Sequence, residues 1–255
     1  MSHFCCIGLA TATVEEFEGT VTRCCAAASP HPDHLDWRDA SGASLVVHLE
    51  DNEITCVTPF FAAKEPTRWR VTTRGAQISP CVHCSGAACD VLDASGAVLT
   101  RAFVQWRRFI DSRRFLEDER TYELAVVGFA HALTVCAMPA DFEAWQADYW
   151  RGEDGQPRDR DGKPLRFAEE FFMPEGMFAK PMEAVAMMSG RVQAARWLTN
   201  ELTGARFGHA RLSTYAGDLD VVFAPESVPH LPEVGHLVVT RVWLVGEPYQ
   251  VSAFV

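Results

Sequence analysis

The sequence contains no run of 18 apolar residues, so no stretch of it reads as a membrane-spanning helix. It lacks Gly-x-Gly-x-x-Gly, the Gly-x-x-x-x-Gly-Lys phosphate loop and the Gly-x-Ser-x-Gly elbow. Dinucleotide, nucleotide-phosphate and α/β-hydrolase chemistry therefore have no local signature here. Basic charge is scarce. The 23 Lys and Arg residues face 34 Asp and Glu, and a formal charge of −11 argues against a general nucleic-acid coat. The start, Met1-Ser2-His3-Phe4-Cys5-Cys6, has no basic segment leading into an apolar stretch and a small-residue cleavage site. A secretion signal is not expected.

What is present suits a packed interior. With 48% hydrophobic and 22% charged residues, the 255-residue chain can bury one large core or two small ones. The nine cysteines are an odd number, two pairs are adjacent (Cys5-Cys6 and Cys24-Cys25), and several fall at apolar positions. This is the usage of buried free thiols in a reduced, cytoplasmic protein rather than of a disulfide scaffold.

The predicted fold class is α+β, mostly β, in two lobes. In the first lobe Phe4–Leu9 reads as a buried strand. Thr13 then caps a helix with Glu16 three residues on, and Val14, Phe17, Val21, Cys24 and Ala28 recur at helical spacing. Strands follow around Leu35–Arg38, Leu45–Leu49 and Ile54–Thr58, giving strand-helix-strand-strand-strand. Asp39-Ala40-Ser41-Gly42-Ala43 recurs as Asp93-Ala94-Ser95-Gly96-Ala97. Asp and Ser bond the backbone locally and Gly takes a positive φ, so the repeat reads as one good turn used twice, with a duplicated hairpin as the lesser alternative. Tyr122–Cys136 is a long strand with Gly128 as a bulge or bend, and a helix is expected near 141–150. The proposed units are 1–150, a mobile charged linker with an aromatic docking segment at 151–182, and an OB-like β module at 183–255.

That last unit has the order strand, strand, strand, irregular crossing, strand. Through Ser189-Gly190, Asn200-x-x-Thr203-Gly204-x-x-Phe207, Asp220-Val221-Val222, Gly235 and Trp243-Leu244-x-Gly246 it resembles the C-terminal module of a family of bacterial, specifically actinobacterial, proteins. The resemblance covers about a quarter of the chain and implies a barrel, with Tyr249–Val255 left to close it, and no activity.

Three groups of residues suggest chemistry. Cys81-x-x-Cys84, with Cys89 beyond, has the beginnings of a zinc knuckle; His31, His34 or Cys56 would supply a fourth ligand by tertiary approach. The plain alternative is a strand edge with small thiols packed inside. His3 and His48, on strands of a strand-helix-strand-strand-strand unit, resemble the metal ligands of the vicinal-oxygen-chelate enzymes, with Glu50 as a further candidate. Trp106, Arg107, Arg108, Arg113 and Arg114 mix rings with positive charge, as an anionic partner requires, although nearby carboxylates offset them. Asp218 and Asp220 share one face of a strand and read as solubilising charge. The leading reading is a binding or interaction protein without a catalytic site. It takes a protein partner or small ligand rather than nucleic acid, and no cofactor is expected unless zinc occupies the cysteines. The alternatives are the metal-dependent enzyme and the zinc-stabilised module.

Overall fold

A computed structural model describes residues 3–9, 13–51, 53–79, 81–109, 121–152 and 158–249. The order after a first 3-10 turn (His3–Ile7) is α1 (Val14–Ala27), β1 (Ser29–Pro30), β2 (His34–Arg38), β3 (Ala43–Glu50), β4 (Glu53–Phe61), β5 (Arg68–Gln77), β6 (Gly86–Leu92), β7 (Val98–Trp106), β8 (Thr121–Cys136), α2 (Pro139–Gly152), β9 (Phe172–Met173), β10 (Val185–Thr199), β11 (Arg206–Thr214), β12 (Gly217–Phe223) and β13 (Leu237–Tyr249). The protein is mostly β, as expected. No helix among the described residues is long and apolar enough to cross a membrane.

The first lobe begins differently from its reading. Phe4–Leu9 is not a strand but a 3-10 turn that ends where Gly8 takes φ +72°. Its carbonyls are satisfied from a distant loop: Asn200 Nδ2 donates to Ile7 O at 2.8 Å and Thr203 Oγ1 to Gly8 O at 2.6 Å. Buried apolar side chains need only paired backbone, and the loop supplies that without a sheet. The α1 cap forms as read, with Thr13 Oγ1 accepting from Glu16 N–H at 3.1 Å. β1 to β4 make a four-stranded antiparallel sheet.

The repeated pentapeptide is one turn used twice. Asp39 Oδ1 accepts from Ser41 N–H at 2.9 Å and Asp93 Oδ1 from Ser95 N–H at 2.8 Å, with Gly42 and Gly96 at φ +94° and +89°. A third copy of the design lies in the expected linker, where Asp159 Oδ1 accepts from Asp161 N–H at 2.9 Å and Lys163 N–H at 2.8 Å.

The duplication lies elsewhere. β5-β6-β7 and β10-β11-β12 are both antiparallel three-strand meanders, each followed by a long strand, β8 or β13. β8 and β13 pair antiparallel from Leu237↔Cys136 to Tyr249↔Glu123. One five-stranded ring runs β10, β11, β12, β8, β13 and back to β10; the other runs β5, β6, β7, β13, β8 and back to β5. Each ring has a single parallel pair, β12 with β8 and β7 with β13. This is the strand order of an OB barrel, made twice around two shared strands. β8 pairs with both β12 and β13 and completes the ring of the C-terminal module; of Tyr249–Val255, all but Tyr249 lie outside the described residues, and β pairing crosses the expected division at 150–183. Gly128 is no bulge. It sits in register with Val221 on one side and Leu244 on the other.

Alternation sorts the strands into two cores. Val242 and Leu244 face the barrel interior with Trp69, Val104, Trp106, Leu124 and Leu219. Val222, Val127, Phe129 and Val245 face outward and meet Ile7, Val21, Leu45 and Phe61 of the first lobe, with Trp243 packed against them. Within the aromatic segment Phe167 and Phe171 pack on Trp145 of α2 and Phe172 on Trp69, while Phe178 is exposed.

Candidate metal centre

The face of the four-stranded sheet beneath the barrel carries a row of ladder-paired residues, His34 on β2, His48 on β3 and Cys56 on β4. Residues paired across antiparallel strands point to the same side with Cβ atoms about 5 Å apart, so this row is contiguous. The loop after β5 reaches it through a 3-10 turn at Val82–Cys84, in which Cys84 N–H donates to Cys81 O at 3.0 Å. Ser85 braces the loop, its Oγ accepting from Ser79 N–H at 2.9 Å.

The turn presents two thiols to the sheet. The sulfurs of Cys56, Cys81 and Cys84 all lie within 4.8 Å of one another, and Cys56 Sγ and Cys84 Sγ are 3.0 Å apart. The hydrogen bond between Cys56 and Cys84, in which either sulfur can donate, lowers the Cys56 thiol pKa against the opposing effect of burial; Cys81 and the Thr58 hydroxyl assist. The Cys84 thiol is pushed up, first by its hydrogen bond with Cys56 and then by burial. His83 stacks on His48 with ring centroids 3.9 Å apart. His48 is 2% exposed; neither ring nitrogen meets a partner at full hydrogen-bond geometry among the described residues, the Arg107 backbone being the nearest acceptor. Burial, then His83 and His34 beside it, lowers its pKa to about 4, so the imidazole is neutral and keeps a lone pair for a ligand.

Cys81 and Cys84 therefore come together as a pair, but their third member is Cys56 and not Cys89. Alternation along β6 turns Cys89 into the barrel, fully buried, where desolvation pushes its thiol up to about 12. His3 and His48 belong to different groups. His3 lies on the first turn against His131 at 4.5 Å and Trp243 at 4.2 Å, and Glu50 is exposed at the end of β3.

The expected anion-contact residues are placed otherwise. Trp106 is wholly buried in the barrel core. Arg107 is 1% exposed and bonds Asp36 Oδ1 at 2.6 Å, Glu247 Oε2 at 3.1 Å and Ser44 Oγ at 3.2 Å. Arg108 pairs with Glu247 as well. Arg113 and Arg114 lie outside the described residues. The local run of positive charge ignores β13, whose Glu247 meets these arginines from 140 positions away in sequence. Asp220 is likewise not a surface charge. It is buried and accepts from Thr67 N–H at 2.8 Å and from Arg211 Nε at 3.2 Å, and pairs with His209 Nε2 at 2.8 Å.

No protein-family model matches the chain, and no curated protein matches it. Among solved structures it is similar to the cytoplasmic molybdate-binding protein ModG with molybdate bound, at 14% identity and a TM-score of 0.31, over 71% of this chain and 96% of that one.

Proposed function

We propose that the chain is a metal-binding protein and that Cys56, Cys81, Cys84 and His48 hold a transition-metal ion, zinc foremost. The observation that carries this reading is the convergence of three thiols from two separate segments, with the buried imidazole of His48 in register with one of them. Tetrahedral zinc binds sulfur at about 2.3 Å and imidazole at about 2.0 Å, which sets the sulfurs about 3.8 Å apart. The three sulfurs, already within 4.8 Å of one another, need only small side-chain adjustments to reach this spacing. Cys56 is already disposed to ionise, and a dication would displace the protons of Cys81 and Cys84.

Four protein ligands fill a tetrahedron and leave no position for a reacting water, so the centre suits holding rather than catalysis. Its mechanical effect is to tie β4 of the small sheet to the β5–β6 loop of the first barrel. A small bound species also fits the placement of Trp106 and Arg107 better than nucleic acid does, since neither is accessible. Metal-bound thiols belong with a reducing, cytoplasmic setting.

Elemental analysis of the purified full chain tests the reading. About one zinc per chain is expected, and a chelator should lower Tm by several degrees, because metal-binding energy is then folding energy. Protein isolated without metal, whose Tm does not respond to added Zn²⁺, would refute it.

A further inference from the structure

We infer a second metal site on the same sheet, formed by His31, His34 and Asp36, that takes a borderline divalent ion such as Ni²⁺, Cu²⁺ or Zn²⁺. One ligand atom from each of the three residues lies within 4.8 Å of the other two. The site stands on residues other than the four ligands proposed above.

The central residue is His34. It is 3% exposed, its Nδ1 sits 2.8 Å from Asp33 Oδ1, and its Nε2 has no partner among the described residues. A carboxylate that holds one imidazole nitrogen fixes the tautomer and leaves the other nitrogen basic, which is the arrangement of metal-ligating histidines. A buried imidazole nitrogen with no partner is otherwise costly to keep. Asp36 follows His34 by two positions on β2 and so shares its face. Its Oδ1 takes the hydrogen bond from Arg107 at 2.6 Å, which orients the carboxylate and leaves Oδ2 for an ion.

His31 supplies the third donor and the movement. It is exposed, and its ring lies parallel to that of His34 with centroids 4.5 Å apart. The turn between them is already formed, with His31 N–H donating to His34 O at 2.9 Å. Closing on an ion needs only rotation of an exposed side chain.

Charge supports the same occupant. The carboxylates of Asp33 and Asp36 balance a dication, and Glu247 answers the charge of Arg107. Imidazole with carboxylate, and no thiolate, selects borderline divalent ions of the later first transition row.

The test uses the full chain carrying Cys56→Ser and Cys84→Ser, which disables the thiolate centre. Calorimetric titration with Ni²⁺ should show one equivalent bound with micromolar affinity. His31→Ala in that background should weaken it at least tenfold; His31 is exposed, so this variant keeps the fold. His34→Ala should abolish it. Paramagnetic broadening of the His31 and His34 ring signals by Ni²⁺ locates the ion independently of stability. The absence of Ni²⁺ binding to the double-serine variant, or binding that survives both histidine substitutions, would overturn the inference. A failed zinc analysis on the parent chain would leave it standing, because two of the three clustered thiols are removed in this experiment and none of them is a ligand of the second site.

Discussion

Replacing Arg107 by methionine probes what holds the small sheet to the barrels. The guanidinium is 1% exposed and lies between Asp36 of β2 and Glu247 of β13, with Ser44 of β3 as a third acceptor and the Phe60 ring 5.1 Å below it. Methionine keeps most of the stem volume, so the cavity cost is small. The charge is what is lost. Breaking a buried pair by removing one partner costs about 3–5 kcal/mol, since the other charge stays behind in poor solvent. Arg108 still answers Glu247, so the lower end, about 3 kcal/mol, is expected at pH 7. That is a large share of a typical folding free energy of about 5–15 kcal/mol.

The pH dependence separates this cause from general damage. Burial acts to raise the Glu247 pKa, but Arg107 and Arg108 hold it below the usual carboxylate value. A depressed carboxylate contributes stability above its unfolded pKa, about 4.3, and loses it as the pH falls through the folded value. Without Arg107 the burial effect prevails, so Glu247 takes up a proton at a higher pH and sheds the unpaired charge. Urea unfolding followed by tryptophan fluorescence at pH 7 and pH 4.5 should therefore show the gap between R107M and parent shrinking on acidification. Adding Glu247→Gln to R107M should recover part of the loss at pH 7. A loss under about 1 kcal/mol at pH 7, or one equal at both pH values, would refute the reasoning.

Val222 is fully buried between barrel and small sheet, so V222D should cost more than about 3 kcal/mol or aggregate; a soluble V222D protein with unchanged Tm would contradict that packing. Asp220→Ala removes the acceptor of three donors and should cost about 3 kcal/mol by urea unfolding, whereas a loss within error would mean that His209, Arg211 and Thr67 find other partners. Gly42→Ala must place a Cβ 2.5 Å from Ala62 O at φ +94°, and a Tm drop equivalent to about 2 kcal/mol is expected, with no drop showing that the turn relaxes freely. His3 has its pKa lowered to about 4 by burial, helped by His131, so it binds a proton only on unfolding between pH 4 and 6.5; stability should rise with pH across that window, and His3→Phe should flatten the rise in a pH series of urea midpoints.

Much of the local structure was written in short stretches of sequence. The Thr13 cap and the Asp-x-Ser-Gly turns depend on neighbours within a few residues, and each forms as read. A first run as apolar as Phe4–Leu9 says only that it is buried. Whether it becomes a strand depends on which groups meet its carbonyls, and those come from Asn200 and Thr203. The sharing of β8 and β13 by two barrels has no local sign either, since it is decided by which long strand finds which edge across more than a hundred residues. The candidate centre divides in the same way. Cys81-x-x-Cys84 is visible because one turn brings its thiols together, while Cys56 and His48 join only because sheet register sets them opposite each other beneath that turn. Arg107 shows the converse. Its charge is plain in the sequence, but only the tertiary structure supplies the carboxylates that bury it, because an ion pair depends on distance in space and not along the chain.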